Sequence, residues 1–209
     1  MLKKLTPEQQ AEILQTGIQE FSRLGLDKAN VNVIAKKAGV SIGVLYKYYE
    51  DKNSFFLACV RHALESLDEV LTARIDAGRD PEENAETLIR AAVEFSREHP
   101  ETVILYHRIT CFEDGEFAEQ LVREIEGKTA ETYRTIISAY QEKGKVREEI
   151  DPGYLAMLFD DILMMVQFTI ACQYYRHRHL LYAGKGPEKN EEELIASALA
   201  FVRQAFSAG

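Results

Sequence analysis

The sequence predicts an all-α protein of about nine helices, on three observations. Apolar residues recur at helical spacing along nearly the whole chain, helix caps and stops punctuate it, and no apolar–polar alternation runs long enough to make a strand. The chain has 209 residues, 46% apolar and 28% charged, an ordinary globular mixture. A chain of this length buries roughly 70–75% of its unfolded surface. It suits one large domain or a small domain joined to a larger one.

The first helix opens at Thr6-Pro7-Glu8-Gln9: Thr6 caps, Pro7 takes the first helical position and Gln9 completes a capping box. Leu14, Ile18, Phe21 and Leu24 form its stripe. Gly25 supplies the left-handed residue that ends it, with Leu26 packing back on the last turn. A short second helix after Asn30 turns Val31, Ile34, Ala35 and Ala38 to one side and stops at Gly39. Ser41 caps a third helix, Ile42 to Tyr49, and two short helices joined by three residues must cross steeply. After Asp51-Lys52-Asn53 a long helix buries Phe56, Cys59, Val60, Ala63, Leu64, Leu67, Val70, Leu71 and Ile75.

Asp80-Pro81-Glu82-Glu83 reads as another capping box, opening a helix with Leu88, Ile89, Ala92 and Phe95 inward. Pro100 bends the chain into a shorter helix through Phe112. The next pattern, Glu116 to Lys143, uses Phe117, Leu121, Ile125, Tyr133, Ile136, Ile137 and Tyr140 and closes at Gly144. Asp151-Pro152 opens the eighth and most apolar helix, reaching about His179. A Gly184-Lys185-Gly186-Pro187 loop precedes the last helix, about Glu191 to Phe206.

Charge is unevenly spread. The whole chain carries −9, but residues 1–60 hold eight Lys/Arg against six Asp/Glu, so the remainder, 17 against 28, carries −11. The N-terminal quarter alone can approach a polyanion without general repulsion. Three cysteines, Cys59, Cys111 and Cys172, are odd in number and widely spaced, which points away from a disulfide framework and toward the reducing cytoplasm. The opening residues carry charge without the apolar stretch of a secretory signal. Tyr154 to Cys172 is interrupted by Asp160, Asp161 and Gln167, so no membrane span is expected.

The stretch Asn30 to Tyr49 has the layout of a helix-turn-helix. Leu45 and Tyr49, four apart, face the core with Val40, leaving Ile42, Gly43, Val44, Tyr46, Lys47 and Tyr48 outward. So apolar an outward side suits a DNA major groove, where small and apolar groups meet the thymine methyl, lysine meets guanine or phosphate, and tyrosine hydroxyls bond phosphate. Lys36, Lys37 and Lys52 flank it, and helix N-termini at Asn30, Ser41 and Asn53 offer N–H groups to phosphates.

Ile34-Ala35-Lys36-Lys37-Ala38-Gly39-Val40-Ser41-Ile42-Gly43-Val44-Leu45-Tyr46-Lys47-Tyr48-Tyr49-Glu50-Asp51-Lys52 closely resembles the DNA-binding signature of TetR-family transcriptional regulators. Phe21, Gly25 and Phe55 extend the likeness, which is strong over about residues 6–60. Ile42, Tyr49 and Asn30 depart from the commonest family residues, which bears on the preferred bases. The resemblance implies a homodimer, each subunit pairing a DNA-binding domain, residues 1–52, with a helical dimerisation and effector domain, residues 53–209. Carried over by position, Asn30, Ser41, Gly43, Val44, Tyr46, Lys47, Tyr48 and Lys52 are the DNA-contact candidates, with Tyr46, Lys47, Tyr48 and Lys52 foremost.

The last two helices are apolar on more than one face, which suggests a partner subunit and a four-helix interface. Tyr106, His107, Cys111, Phe112, Tyr133, Met164, Met165 and Phe168 lie on helices that would enclose a pocket for a small apolar or aromatic effector; Asp160 and Asp161 could instead welcome a cation. His177-Arg178-His179, with imidazoles two apart, reads as a basic end of the eighth helix rather than a metal site. No phosphate-binding glycine loop, nucleophile elbow or metal-ligand helix motif points to catalysis. The expected protein is a cytoplasmic, DNA-binding regulator, a ligand-responsive repressor of a palindromic operator. The alternatives are a family member acting through a protein partner, as nucleoid-occlusion proteins do, and a helical enzyme or ligand carrier.

Overall fold

The computed structural model describes residues 5–111 and 115–207, without the side chains of Glu116 and Phe117. The described residues form α1 (Pro7–Lys28), α2 (Val31–Lys37), α3 (Ile42–Tyr48), α4 (Lys52–Thr72), α5 (Pro81–Glu98), α6 (Pro100–Ile109), α7 (Gly115–Glu142), α8 (Pro152–Ala171), α9 (Gln173–Ala183) and α10 (Glu191–Phe206), with one 3₁₀ turn at Pro187–Lys189. All-α is therefore correct, and among the described residues there are ten α-helices rather than nine.

The additional helix comes from a break at Cys172, whose extended backbone (φ −96°, ψ 128°) separates α8 from α9. Neither glycine nor proline marks it. Arg176 donates from Nε to the Ile170 carbonyl at 2.6 Å, satisfying a group that a continuing helix would have bonded. His177, Arg178 and His179 consequently sit within α9 instead of ending α8, and Arg178 lies over the Tyr182 ring at 5.1 Å.

Most punctuation is as expected. Thr6 and Gln9 form the capping box, and Asp151 accepts from the Gly153 N–H at 2.8 Å. Asp80 does not cap α5: it makes no side-chain cap bond there, and its carboxylate pairs with Lys145. Gly25 has the positive φ expected (75°), but α1 resumes for one turn beyond this kink, to Lys28. Arg108 of α6 donates to the carbonyls just before this kink, from Nε to Ser22 O at 2.7 Å and from Nη2 to Arg23 O at 3.2 Å.

α8 runs through the middle of the C-terminal helices, packed against α5, α6, α7 and α10, while α1 packs on α4 and α6. By length and composition α8 could cross a membrane, yet 56% of its apolar window is buried by its neighbours, which accounts for it as a core helix. Phe21, Phe55 and Phe56, fully buried, join α1 to α4, with Phe21 edge-on to Phe56 at 5.0 Å between centroids. Each such side chain contributes about 1.5–3 kcal/mol by leaving water.

α1 and α4 approach closely at Gly17. A Cβ there would lie 2.5 Å from Cys59 Sγ and 2.8 Å from Phe55 Cζ, and both neighbours are fully buried with no room to retreat. Gly17→Ala is therefore expected to lower unfolding stability by about 1–3 kcal/mol, even though alanine is the better helix former. A denaturant titration with an unchanged midpoint would contradict this close packing.

Candidate functional site

The helix-turn-helix is fixed by backbone chemistry that is local in sequence. Asn30 accepts from the Asn32 N–H at 2.9 Å and Ser41 from the Val44 N–H at 3.3 Å, so each caps its helix through its own side chain. Between them Gly39 takes φ 68°, and the Gly39 and Val40 N–H groups bond Lys36 O and Ala35 O at 3.3 and 3.0 Å. That is a Schellman stop, and the positive φ is what calls for glycine.

Inward, Leu45 is fully buried and Tyr49 packs on Phe55 with centroids 4.9 Å apart, as expected. Ile42, expected outward, is half-buried against the core. Gly43, Tyr46 and Lys47 are exposed and Val44 is half-exposed. Open space lies above Gly43, where an added Cβ would meet nothing nearer than Ser41 Oγ at 4.0 Å. Nothing inside the protein requires glycine at that position.

Several polar residues around this face already have partners. The Tyr48 hydroxyl accepts from the Leu5 N–H at 2.8 Å, tying the start of the chain to α3 and leaving its proton to donate elsewhere. Lys52 donates to the Asp27 carbonyl at 3.0 Å, where its charge also suits the C-terminal end of α1. Lys37 and Arg23 bond Glu20, a carboxylate only 3% exposed, at 2.6 and 2.5 Å. Those bonds, Lys37 first, hold the Glu20 carboxyl below its usual range and clamp α2 to α1. Lys36 remains exposed. The N-terminus of α4 differs from expectation, because Asp51 caps it by accepting from Ser54 N at 2.7 Å, placing a carboxylate where a phosphate would go.

In the C-terminal helices an open crevice of about 740 Å³ lies between α6, α7 and α8. Of the residues expected in a pocket, Tyr106, Tyr133 and Met164 line it. Met165 does not: it is exposed on α8, on the same side as Tyr154 and Leu158 by helical spacing. His107 and Phe168 pack edge-to-face at 4.9 Å, with Tyr175 against both. His107 and Cys111 line a separate cleft against the kink of α1; burial, then the charge of Arg108, pulls the His107 pKa down. Phe112 lies outside the described residues. An apolar cavity between α5, α7, α8 and α10 holds about 80 Å³, too little for the roughly 300–1,000 Å³ that small-molecule sites occupy.

The crevice adds Glu126 and Glu131, which the sequence did not single out, to Tyr133, Asp160 and Asp161, which it did. Glu126 accepts from the Tyr106 hydroxyl at 2.8 Å. Burial, reinforced by Asp161, raises the Glu126 pKa. Asp160 is pushed up to about 7 by burial first, then by the charges of Glu126 and Asp161. The Tyr133 hydroxyl and the Gln167 side-chain nitrogen, in residues each 3% exposed, are buried without a hydrogen-bond partner. Glu126 escaped notice because its helix is polar on one face, and its partner Tyr106 is 20 residues away.

A capped helix pair with an apolar, lysine-bearing outer face, mounted on a helical body, defines a DNA-binding transcriptional regulator. Residues 13–59 match the model for bacterial regulatory proteins of the TetR family. Over those residues the chain carries the helix-turn-helix of that family. It is 28% identical over 155 residues to the probable acrEF/envCD operon repressor of Escherichia coli, covering 71% of this chain and 70% of that one. It is 27% identical over 188 residues to the nucleoid occlusion factor SlmA of Actinobacillus pleuropneumoniae, covering 86% and 90%. A TetR family transcriptional regulator from Chloroflexus aurantiacus superposes with a TM-score of 0.68 at 16% identity, over 98% of this chain and 95% of that one, a likeness of fold.

Proposed function

We propose that the protein is a ligand-responsive repressor that works in the cytoplasm and binds a palindromic operator as a homodimer, without catalysis. The observation that carries the reading is the division of α3, with Leu45 fully buried and Gly43, Tyr46 and Lys47 exposed above open space. Gly43 lets a DNA backbone approach closely, Val44 and Tyr46 meet base edges or methyl groups, and Lys47 reaches guanine or phosphate. Asn30, Ser41, Tyr48 and Lys52 hold phosphates while keeping their structural bonds. Residues 1–52 act as the DNA-binding domain and residues 53–209 as the domain for dimerisation and effector.

The partner surface is the outer face of α8, where Tyr154 and Leu158 are 64% and 45% exposed, together with Phe201 of α10 at 63%. Large apolar side chains left in water on the two helices expected to pair favour a second subunit there. The two recognition helices would then enter successive major grooves, about 34–36 Å apart or somewhat more. An open crevice of about 740 Å³ is room enough for a small effector and supports that reading over the protein-partner alternative. An effector that prefers a conformer with the DNA-binding domains spread lowers operator affinity by its preference for that state.

The test is selection of bound sequences from a random DNA pool, followed by salt titration of the winner. An enriched inverted repeat is expected; no enrichment at low salt would sink the reading. On the selected operator, Lys47→Ala is expected to weaken binding by about 1–3 kcal/mol and relax specificity. Lys52→Ala should weaken all sequences alike and reduce the salt slope by about one. Unchanged binding in both would remove this face from the interface.

A further inference from the structure

We propose that the crevice between α6, α7 and α8 takes an organic cation with an apolar body, its charge held between Glu126 and Asp160. This rests on the reading of the protein as an effector-binding regulator and specifies the chemistry of the effector. The crevice is lined by four carboxylates, Glu126, Glu131, Asp160 and Asp161, against one basic residue, Arg134. Arg134 is exposed, and no ion pair involving it is found among the described residues. An anion would enter against this charge; a cation would relieve it.

The inner carboxylates are the ones held unfavourably. Asp160 is half-buried and makes no hydrogen bond or ion pair among those found for the described residues, and Glu126 has the Tyr106 hydroxyl as its donor. Both carboxyls are raised by burial and by neighbouring like charge. A buried charge without a counter-charge is costly, and a ligand that brings one regains that cost on binding.

A second observation is independent of the acids. The Tyr133 hydroxyl, on a side chain 3% exposed, lines the same crevice with no partner. Gln167 leaves a buried side-chain nitrogen unpaired in the narrow recess that Asp160, Glu126 and Tyr106 also line. Buried polar atoms are normally satisfied, so idle ones at a crevice wall mark where a ligand or its water completes the set. Met164, Met157 and Ala156 supply the apolar wall, and methionine adapts to ligand shape.

The experiment is calorimetric titration of the full chain with two ions of one shape and opposite charge, tetraphenylphosphonium and tetraphenylborate. It is run on the wild type, Asp160→Asn and Glu126→Gln, with a thermal melt of each to establish folding. The cation is expected to bind at least tenfold more tightly than the anion, and each substitution to weaken the cation by about tenfold while sparing the anion. Equal affinities, tighter binding of the anion, no binding of the cation, or a preference untouched by both substitutions would overturn the proposal. Operator release separates the two readings. Tetraphenylborate that binds and releases operator DNA would remove the cation and keep the effector, whereas failure of both ions to bind or release DNA would count against both.

Discussion

Leu158→Asp is expected to turn the protein into a folded monomer and to lower operator affinity at least a hundredfold. Leu158 is 45% exposed, midway along the outer stripe of α8, so aspartate there costs the isolated subunit little. In a dimer formed through this face the same carboxylate is buried against the partner's apolar patch, and a twofold interface buries it twice. An unpaired charge removed from water opposes association by several kcal/mol. Loss of the second subunit then removes the second half-site, and linked binding exceeds single-site affinity by about 10²–10⁴. Sedimentation velocity would show a species of one subunit's mass, and anisotropy with the selected operator would show the affinity loss. A variant that remains dimeric with unaltered operator binding would place the partner surface elsewhere, with the exposed apolar residues of α9, Leu181 and Tyr182, the next place to look.

Asp160→Asn is expected to raise unfolding stability by about 1–3 kcal/mol at pH 8 and to leave it unchanged near pH 4. In the native protein the Asp160 carboxyl titrates near about 7 instead of the ordinary 3.8. An acid whose pKa is higher folded than unfolded contributes fully below the unfolded value, and that contribution falls away as pH rises through the folded one. Displacement from 3.8 to about 7 caps the effect at roughly 4 kcal/mol, and water reaching the crevice reduces it. The groups facing Asp160 are Glu126, Tyr133 and Arg134 from α7, Tyr106 from α6 and Asp68 from α4, with Asp161 beside it. Paired denaturant titrations of wild type and variant from pH 4 to pH 8 report the Asp160 carboxyl together with its coupling to Glu126. A difference that stays flat across that range would show that Asp160 is ionised and comfortable in the folded state.

What could be read from the sequence was whatever is decided within a few residues. Caps at Thr6, Asn30, Ser41 and Asp151, and the stops at Gly39 and Gly144, are local bargains between a side chain or a flexible backbone and nearby N–H and C=O groups. They place the helix-turn-helix correctly. Two of the misreadings involve a partner far along the chain. Asp80 looks like a cap until Lys145, 65 residues away, takes its carboxylate. Gly25 looks like a terminus, but Arg108 supports the carbonyls at the kink from 86 and 85 positions away. The break at Cys172 carries no proline or glycine at all. The surplus apolar face of α8 was legible, but which residues form it was not, because Met164 and Met165 read alike while one lines the crevice and the other faces outward.

The clasp of Arg108 on α1 has a thermodynamic corollary. The helix that bears Arg108 also bears Tyr106, hydrogen-bonded to Glu126 in the crevice, so, if the crevice takes the proposed effector, the DNA-binding head and the effector share one helix. Coupling through such a helix is reciprocal: whatever factor the ligand takes from operator affinity, the operator takes from ligand affinity. The population of the protein sitting on its operator would then respond only at higher effector concentration than the free population. Each copy's sensitivity would depend on where that copy is, and the number of spare DNA sites in the cell would help set the dose at which genes are released.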